Sequence, residues 1–212
     1  MSAQADLYIT DLYNTGVDAV GKVLPNGSLG DHHYTLESVP NGSTNDIIVH
    51  DALFYPTNGT NSNWISPYNV SFGSYGPLYI SPNGYYDYKT SFNVLGGFDP
   101  STTKISGVWS SDNNGVKILL NGLYAGSAPT RYDQFGVGFA PFCITSGFKV
   151  GLNTLDFIVY QDGGSPTALN VVMNGAVQAI PEPEEWVMML AGFGLVGWQV
   201  KRKQKKAVPT TK

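Results

Sequence analysis

The chain has 212 residues, 13% of them aromatic, and a formal net charge of −4. The charge is segregated: residues 1–180 hold six basic and 13 acidic side chains, hence a net charge of −7, whereas six of the 12 lysines and arginines lie in the last 12 residues. The acidic body argues against nucleic acid as a partner, because phosphate binding needs a basic surface. The single cysteine, Cys143, excludes an internal disulfide, and its apolar neighbours predict a small buried side chain.

Residues 6–178 are predicted to form one β domain. They are rich in Gly, Asn, Ser, Thr and Tyr, a composition that suits short strands joined by tight turns. Strands are predicted, in chain order, near residues 6–12, 33–39, 46–50, 86–94, 103–110, 116–120, 153–160 and 168–173. In the fourth of these, alternation predicts one inward face made of Tyr86, Tyr88, Thr90, Phe92 and Val94.

Seven Asn-Gly pairs interrupt this body, beginning at Asn26, Asn41, Asn58, Asn83, Asn114, Asn121 and Asn174. An Asn-Gly pair between two β-rich runs is a strong hairpin signal, so residues 103–110 and 116–120 are predicted to form a hairpin through the turn at Asn114-Gly115. Asn174-Gly175 is predicted to close the domain. The overall pattern predicts an all-β fold, an antiparallel β-sandwich of jelly-roll type, followed by one C-terminal transmembrane α-helix.

Residues 179–206 contain three parts in a fixed order: an acidic proline motif, an uncharged run and a basic cluster. The run, residues 186–200, is predicted to be a membrane-anchoring helix about 22 Å long, although its 15 residues are fewer than the roughly 20 that usually cross a bilayer. Aromatic residues that suit the membrane interface stand near its two ends, at Trp186 and Trp198. Between them lie the apolar Leu190 and three small residues that allow close helix contact, Gly192, Gly194 and Gly197. The basic cluster, residues 201–206, would hold one end in the cytoplasm through Lys201, Arg202, Lys203, Lys205 and Lys206. The alternative is a helix buried against the globular domain.

Pro181-Glu182-Pro183, the apolar helix and the basic cluster together closely resemble the PEP-CTERM sorting signal of Gram-negative bacteria. The resemblance implies recognition by a membrane exosortase, processing near the proline motif, and release from the inner membrane to the cell surface or the medium, in association with exopolysaccharide. Residues 207–212 extend beyond the expected end of such a signal and are predicted to be a disordered tail.

Residues 1–5 are predicted to be the remnant of a signal peptide. Ala3-Gln4-Ala5 has the A-x-A form of a cleavage site, and the first predicted strand follows directly. A sorted protein must be exported, so a longer natural precursor is expected. The alternative is that Met1 is the true start and the triplet occurs by chance.

The body carries a second, less specific resemblance. Its segments at residues 62–65, 88–92, 107–113, 120–122 and 151–157 resemble β-sandwich domains that precede PEP-CTERM tails. Those domains are similar to galactose-binding-like and carbohydrate-binding jelly rolls. The resemblance implies a fold and does not by itself supply a sugar site.

Sugar binding is the chemistry that suits this composition best, because aromatic rings stack on sugar faces while Asp and Asn bond hydroxyl groups. The candidates are Trp64, Tyr85, Tyr86, Trp109, Asp112 and Asn113. The alternative for Trp109 is a place in the core, and for residues 112–115 a plain turn. No cofactor is predicted; calcium is an alternative for loop Asp and Asn oxygens, without a motif to support it.

Enzymatic activity is not expected. Adjacent His32 and His33 point to opposite faces if they lie in a strand, so a metal site that uses both is disfavoured. No G-x-S-x-G motif is present, and no spacing selects a carboxylate pair for glycosidase chemistry. We therefore expect an exported non-enzymatic surface protein, with a lectin-like carbohydrate-binding module as the alternative and a polysaccharide hydrolase as the third hypothesis.

Overall fold

A computed structural model describes residues 7–50, 61–67, 81–125, 138–163, 166–180 and 183–206. The predictions for residues 1–5, for Pro181 and Glu182, and for the tail 207–212 lie outside these residues. The chain divides into two compact units, residues 1–178 and 179–212.

Strands dominate the first unit. They are β1 (Leu7–Tyr8), β2 (Tyr34–Ser38), β3 (Ile47–His50), β4 (Trp64–Pro67), β5 (Gly84–Val94), β6 (Phe98–Asp112), β7 (Asn114–Leu120), β8 (Leu123–Tyr124), β9 (Ala140–Ile144), β10 (Gly151–Gln161) and β11 (Ala168–Ala179). Every strand pair whose register is described is antiparallel. The predicted all-β antiparallel class is confirmed.

The strands form two sheets. One has six strands in the order β3-β4-β11-β6-β9, with β1 paired to the far end of β11. The other has five strands in the order β2-β5-β10-β7-β8. When the eight strands β4 to β11 are renumbered 1 to 8 in chain order, they lie in the order 1-8-3-6 in the first sheet and in the order 2-7-4-5 in the second.

Side chains from both sheets form one hydrophobic core. Phe157 on β10 lies at its centre, because its ring is 5.7 Å from the ring of Trp109, 5.9 Å from that of Phe142 and 6.4 Å from that of Tyr34, centroid to centroid. The predicted inward face of β5 is confirmed, since all five of its side chains are buried. The intervening residues of β5 therefore lie on the outer face of the five-stranded sheet.

The predicted hairpin at Asn114-Gly115 is wrong. Strand β6 belongs to the six-stranded sheet and β7 to the five-stranded sheet, so the chain passes between the layers there. Asn114 and Gly115 are the first residues of β7, where they pair with β10 beside a register shift. The local sequence signal was overridden by the packing of two sheets, which no short segment encodes.

The next Asn-Gly pair along the chain, Asn121-Gly122, does form a hairpin turn. Asn121 and Gly122 both have positive φ, 52° and 80°, and connect β7 to β8 as a two-residue hairpin loop. Asn174-Gly175, in contrast, lies inside β11 and does not close the domain. Gly175 occupies a crowded site, because a Cβ there would lie 2.9 Å from the Cδ1 of Ile9.

Cys143 is exposed, which corrects the expectation that it is buried. It lies on β9 between Phe142 and Ile144, which are buried. Alternation along a strand sends the residue between two inward side chains to the opposite face.

The second unit is one helix, α1 (Pro183–Lys206). It contains the predicted helix 186–200 and extends through the acidic residues before it and the basic cluster after it. Proline suits the first helical position, and Glu184, Glu185 and the basic cluster lie at the helix ends that favour their charges. Within the described part of the chain, no helix combines the length and the apolar character needed to cross a membrane.

Candidate functional site

Three of the aromatic sugar-site candidates are core residues. Trp64 is 1% exposed, and Tyr86 and Trp109 are 0% exposed. Trp64 packs beside Phe139, with ring centroids 6.1 Å apart. A sugar ring cannot stack on a ring without an exposed face, so the structure corrects these three assignments and supports the core alternative for Trp109.

The two polar candidates are buried as well. Asp112 ends β6 and Asn113 follows it, with exposures of 4% and 2%. The hydroxyl of Thr167 donates to the carbonyl of Asp112 at 2.7 Å, and the hydroxyl of Ser111 donates to the carbonyl of Asn113 at 3.1 Å. The bond from Thr167 ties the end of β6 to the start of β11, its neighbour in the six-stranded sheet. The burial of Asp112 and Asn113 argues against contact with a sugar.

Tyr85 is the sugar-site candidate that lies at the surface, with 59% of its area exposed. Its direct partner across the sheet is Tyr160 on β10, which in turn pairs with Asn114 on β7. The two tyrosine rings have centroids 4.8 Å apart and planes inclined by 50°. Directly opposed residues project from the same face, so an aromatic and polar row crosses three strands.

Asp87 lies two residues further along β5, on the same face and in the next row. Ile158 and Lys117 are its successive neighbours on β10 and β7. The Oδ1 atom of Asp87 is buried and has no hydrogen-bond partner in the described part of the chain. Burial, together with the nearby Asp156 carboxylate, raises the pKa of Asp87 to about 6.

Lys89 occupies the third row of this face. Its Nζ lies 3.4 Å from an oxygen of Glu37 on one side and 3.4 Å from an oxygen of Asp156 on the other. Burial raises the pKa of the Asp156 carboxyl, and the Lys89 ammonium opposes that shift. The ammonium is engaged by two carboxylates, and among the residues that the structure describes Asp87 forms no ion pair.

We call the outward side chains Tyr85, Asp87, Lys89, Asp156 and Tyr160 the outer-face cluster. Sequence reasoning identified Tyr85 and missed the other four. The signal was present in part, because the inward face predicted for β5 implies that residues 85, 87 and 89 face outward. Tyr160 and Asp156 could not be added without the register that aligns β10 with β5.

His33 is engaged in contacts with its neighbours. The His33 ring stacks on Tyr13 with centroids 3.6 Å apart, and its Nε2 lies 2.9 Å from the carbonyl oxygen of Asp18. Among the residues that the structure describes, no group of three or more His, Cys, Asp or Glu side chains is arranged to hold a metal ion.

The C-terminal candidate residues lie on α1, apart from Pro181 and Glu182. Large apolar side chains are exposed along this helix, including Leu190 at 70%, Phe193 at 69% and Trp198 at 53%. A Cβ added at Gly192 or Gly194 would meet no atom within 4 Å. The guanidinium carbon of Arg202 lies 3.9 Å from the centre of the Trp198 ring, one turn away, in cation–π geometry.

No protein-family model matches the chain, and no curated protein sequence matches it.

Proposed function

We propose that this chain is an exported, non-enzymatic surface protein, sorted at the inner membrane of a Gram-negative bacterium by an exosortase. The helix α1 carries the proposal. It exposes several large apolar side chains between an acidic start and a basic end, and exposed apolar surface of this kind marks a site of contact with a membrane or a protein. The resemblance to PEP-CTERM signals supplies the specific partner.

In this proposal, residues 186–200 act as a temporary anchor. Their length of about 22 Å is shorter than a bilayer core of about 30 Å. Lysine and arginine stems bury their methylene groups and extend the charged ends to the interface, which reduces such a mismatch. A short anchor beside a processing motif fits a protein that the membrane holds briefly and then releases.

We also propose that the released body is a jelly-roll-type β-sandwich associated with exopolysaccharide or the cell envelope. The strand orders 1-8-3-6 and 2-7-4-5, with one core shared by both sheets, support the jelly-roll assignment. The polar and aromatic outer-face cluster supports association with a hydroxyl-rich polymer.

The sorting proposal is tested by changing Pro181, Glu182 and Pro183 to alanine in the native host. The unchanged protein is expected in a processed form at the surface or in the medium, and the variant in its full-length form in the membrane fraction. Pro209→Ala, which changes a proline beyond the basic cluster, is the matched control. Unchanged processing and release of the triple variant would show that the motif is not read.

A polysaccharide hydrolase is the competing function. It predicts release of reducing ends from a polysaccharide, with loss of that activity on changing one aspartate. Asp87 and Asp156 are the carboxylates to change first, because both lie on the outer face with raised pKa values. Reducing-end release that Asp87→Asn abolishes would replace the non-enzymatic proposal.

A further inference from the structure

We propose that the outer-face cluster is a binding site for a neutral polysaccharide, with Tyr85 and Tyr160 as the stacking surface and Asp87 as a hydroxyl acceptor. The inference rests on the proposed function for its premise that the body meets polysaccharide. It adds the site and the chemical class of the ligand.

The tyrosine pair provides the stacking surface. Tyr85 is 59% exposed on β5, and its ring centroid lies 4.8 Å from that of Tyr160 on the neighbouring strand β10. Two adjacent rings offer a continuous apolar patch for the C–H face of a pyranose. Asn114 extends the row to a third strand and donates from Nδ2 to Asp162 at 3.5 Å, so polar groups border the patch.

Asp87 supplies an unused acceptor next to this patch. It follows Tyr85 by two residues on the same face of β5, and its Oδ1 atom has no hydrogen-bond partner. An acceptor left unsatisfied costs free energy that a donor would recover. Asp87 as a whole is only partly buried, so its carboxylate can accept a hydrogen bond from a sugar hydroxyl above the sheet.

The charge of the face selects the class of polysaccharide. Carboxylates of Glu37, Asp87 and Asp156 outnumber the cations there, and the Lys89 ammonium is already held by two of them. Lys117 is the remaining cation across the strand from Asp87. A uronic-acid polymer would meet this negative field and the net charge of −7 of residues 1–180, whereas a neutral polymer would not be repelled.

Affinity electrophoresis tests the site with the full chain in a non-ionic, sugar-free detergent. Native gels would contain laminarin, dextran or galactomannan as neutral probes, and alginate as the anionic probe. We expect at least one neutral probe to retard the protein, alginate to have no effect, and Tyr85→Ala to weaken retardation about tenfold. Asp87→Asn should weaken it less, because the amide oxygen still accepts a hydrogen bond.

Tyr8→Ala is the matched control, since Tyr8 is 78% exposed on β1 in the other sheet. The control should migrate like the unchanged protein, and equal far-UV circular dichroism and unfolding midpoints would show that both variants fold. The proposal would be overturned if no neutral probe retards the protein, if Tyr85→Ala is retarded as strongly as the unchanged protein, or if alginate retards the protein more than the neutral probes do. The assay contains no exosortase and no membrane, so its failure is separable from failure of the sorting proposal.

Discussion

Replacing Trp109 with alanine separates its two competing roles, because a core residue and a sugar-stacking residue give opposite results. Trp109 is fully buried, and its ring centroid lies 5.7 Å from that of Phe157 at the centre of the core. Truncation of a buried Trp or Phe to Ala costs about 3–5 kcal/mol. Domains of this kind are stable by about 5–15 kcal/mol in total, so Trp109→Ala should lose about a fifth or more of the free energy of unfolding.

Urea unfolding followed by far-UV circular dichroism measures this loss without depending on tryptophan fluorescence. With a urea dependence of about 2–3 kcal/mol per molar, the midpoint should fall by about 1–2 M. Tyr85→Ala is the matched exposed variant; it loses the cross-strand contact with Tyr160 and should lower the free energy of unfolding by only about 1 kcal/mol or less. If Trp109→Ala instead has the same urea midpoint as the unchanged protein but no longer binds polysaccharide, Trp109 belongs to a binding surface and the core assignment is wrong.

Two further predictions concern backbone crowding and pH. Gly107→Ala should lower the free energy of unfolding by at least about 1–3 kcal/mol, because the added Cβ would lie 2.2 Å from the carbonyl oxygen of Val172. Gly96→Ala is its control: the added Cβ would meet no atom within 4 Å, so the urea midpoint should stay near that of the unchanged protein. Asp87 has its pKa raised from 3.8 to about 6, so the folded state binds more protons than the unfolded state between these values and stability falls as pH rises through that window. Asp87→Asn has no carboxyl group to lose a proton at this position, so it should be the more stable protein at pH 8, with the difference lost below about pH 4. A difference in urea midpoint between the two proteins that is the same at pH 4 and pH 8 would contradict this prediction.

The local features of the fold could be predicted from the sequence. Alternation along β5 identified its buried face because each side chain's direction follows from the strand geometry alone. The helix at residues 186–200 was predicted for a similar reason, because its uncharged run and the charges that flank it are contiguous in the sequence. The class of the fold also followed, since composition and turn residues act locally.

The assignment of strands to sheets could not be predicted in the same way. Asn114-Gly115 carries the hairpin signal, yet β6 and β7 lie in different layers. That outcome depends on the pairing of β7 with β10 and of β6 with β9, which are contacts between distant segments. The outer-face cluster was missed for the same reason, because Tyr160 meets Tyr85 only after β10 has paired with β5 in one register.

The segregation of charge connects the two units of the chain with the proposed release. Residues 1–180 carry a net charge of −7, while residues 181–212 hold six basic and three acidic side chains, hence +3. The cytoplasmic leaflet is anionic and attracts basic segments next to a membrane anchor, so in the proposed orientation the basic cluster strengthens attachment of the tail. The acidic body has no such attraction to an anionic surface. Processing near Pro181 would therefore remove the part of the chain that holds it at the membrane and leave an acidic body without a basic segment to attach it.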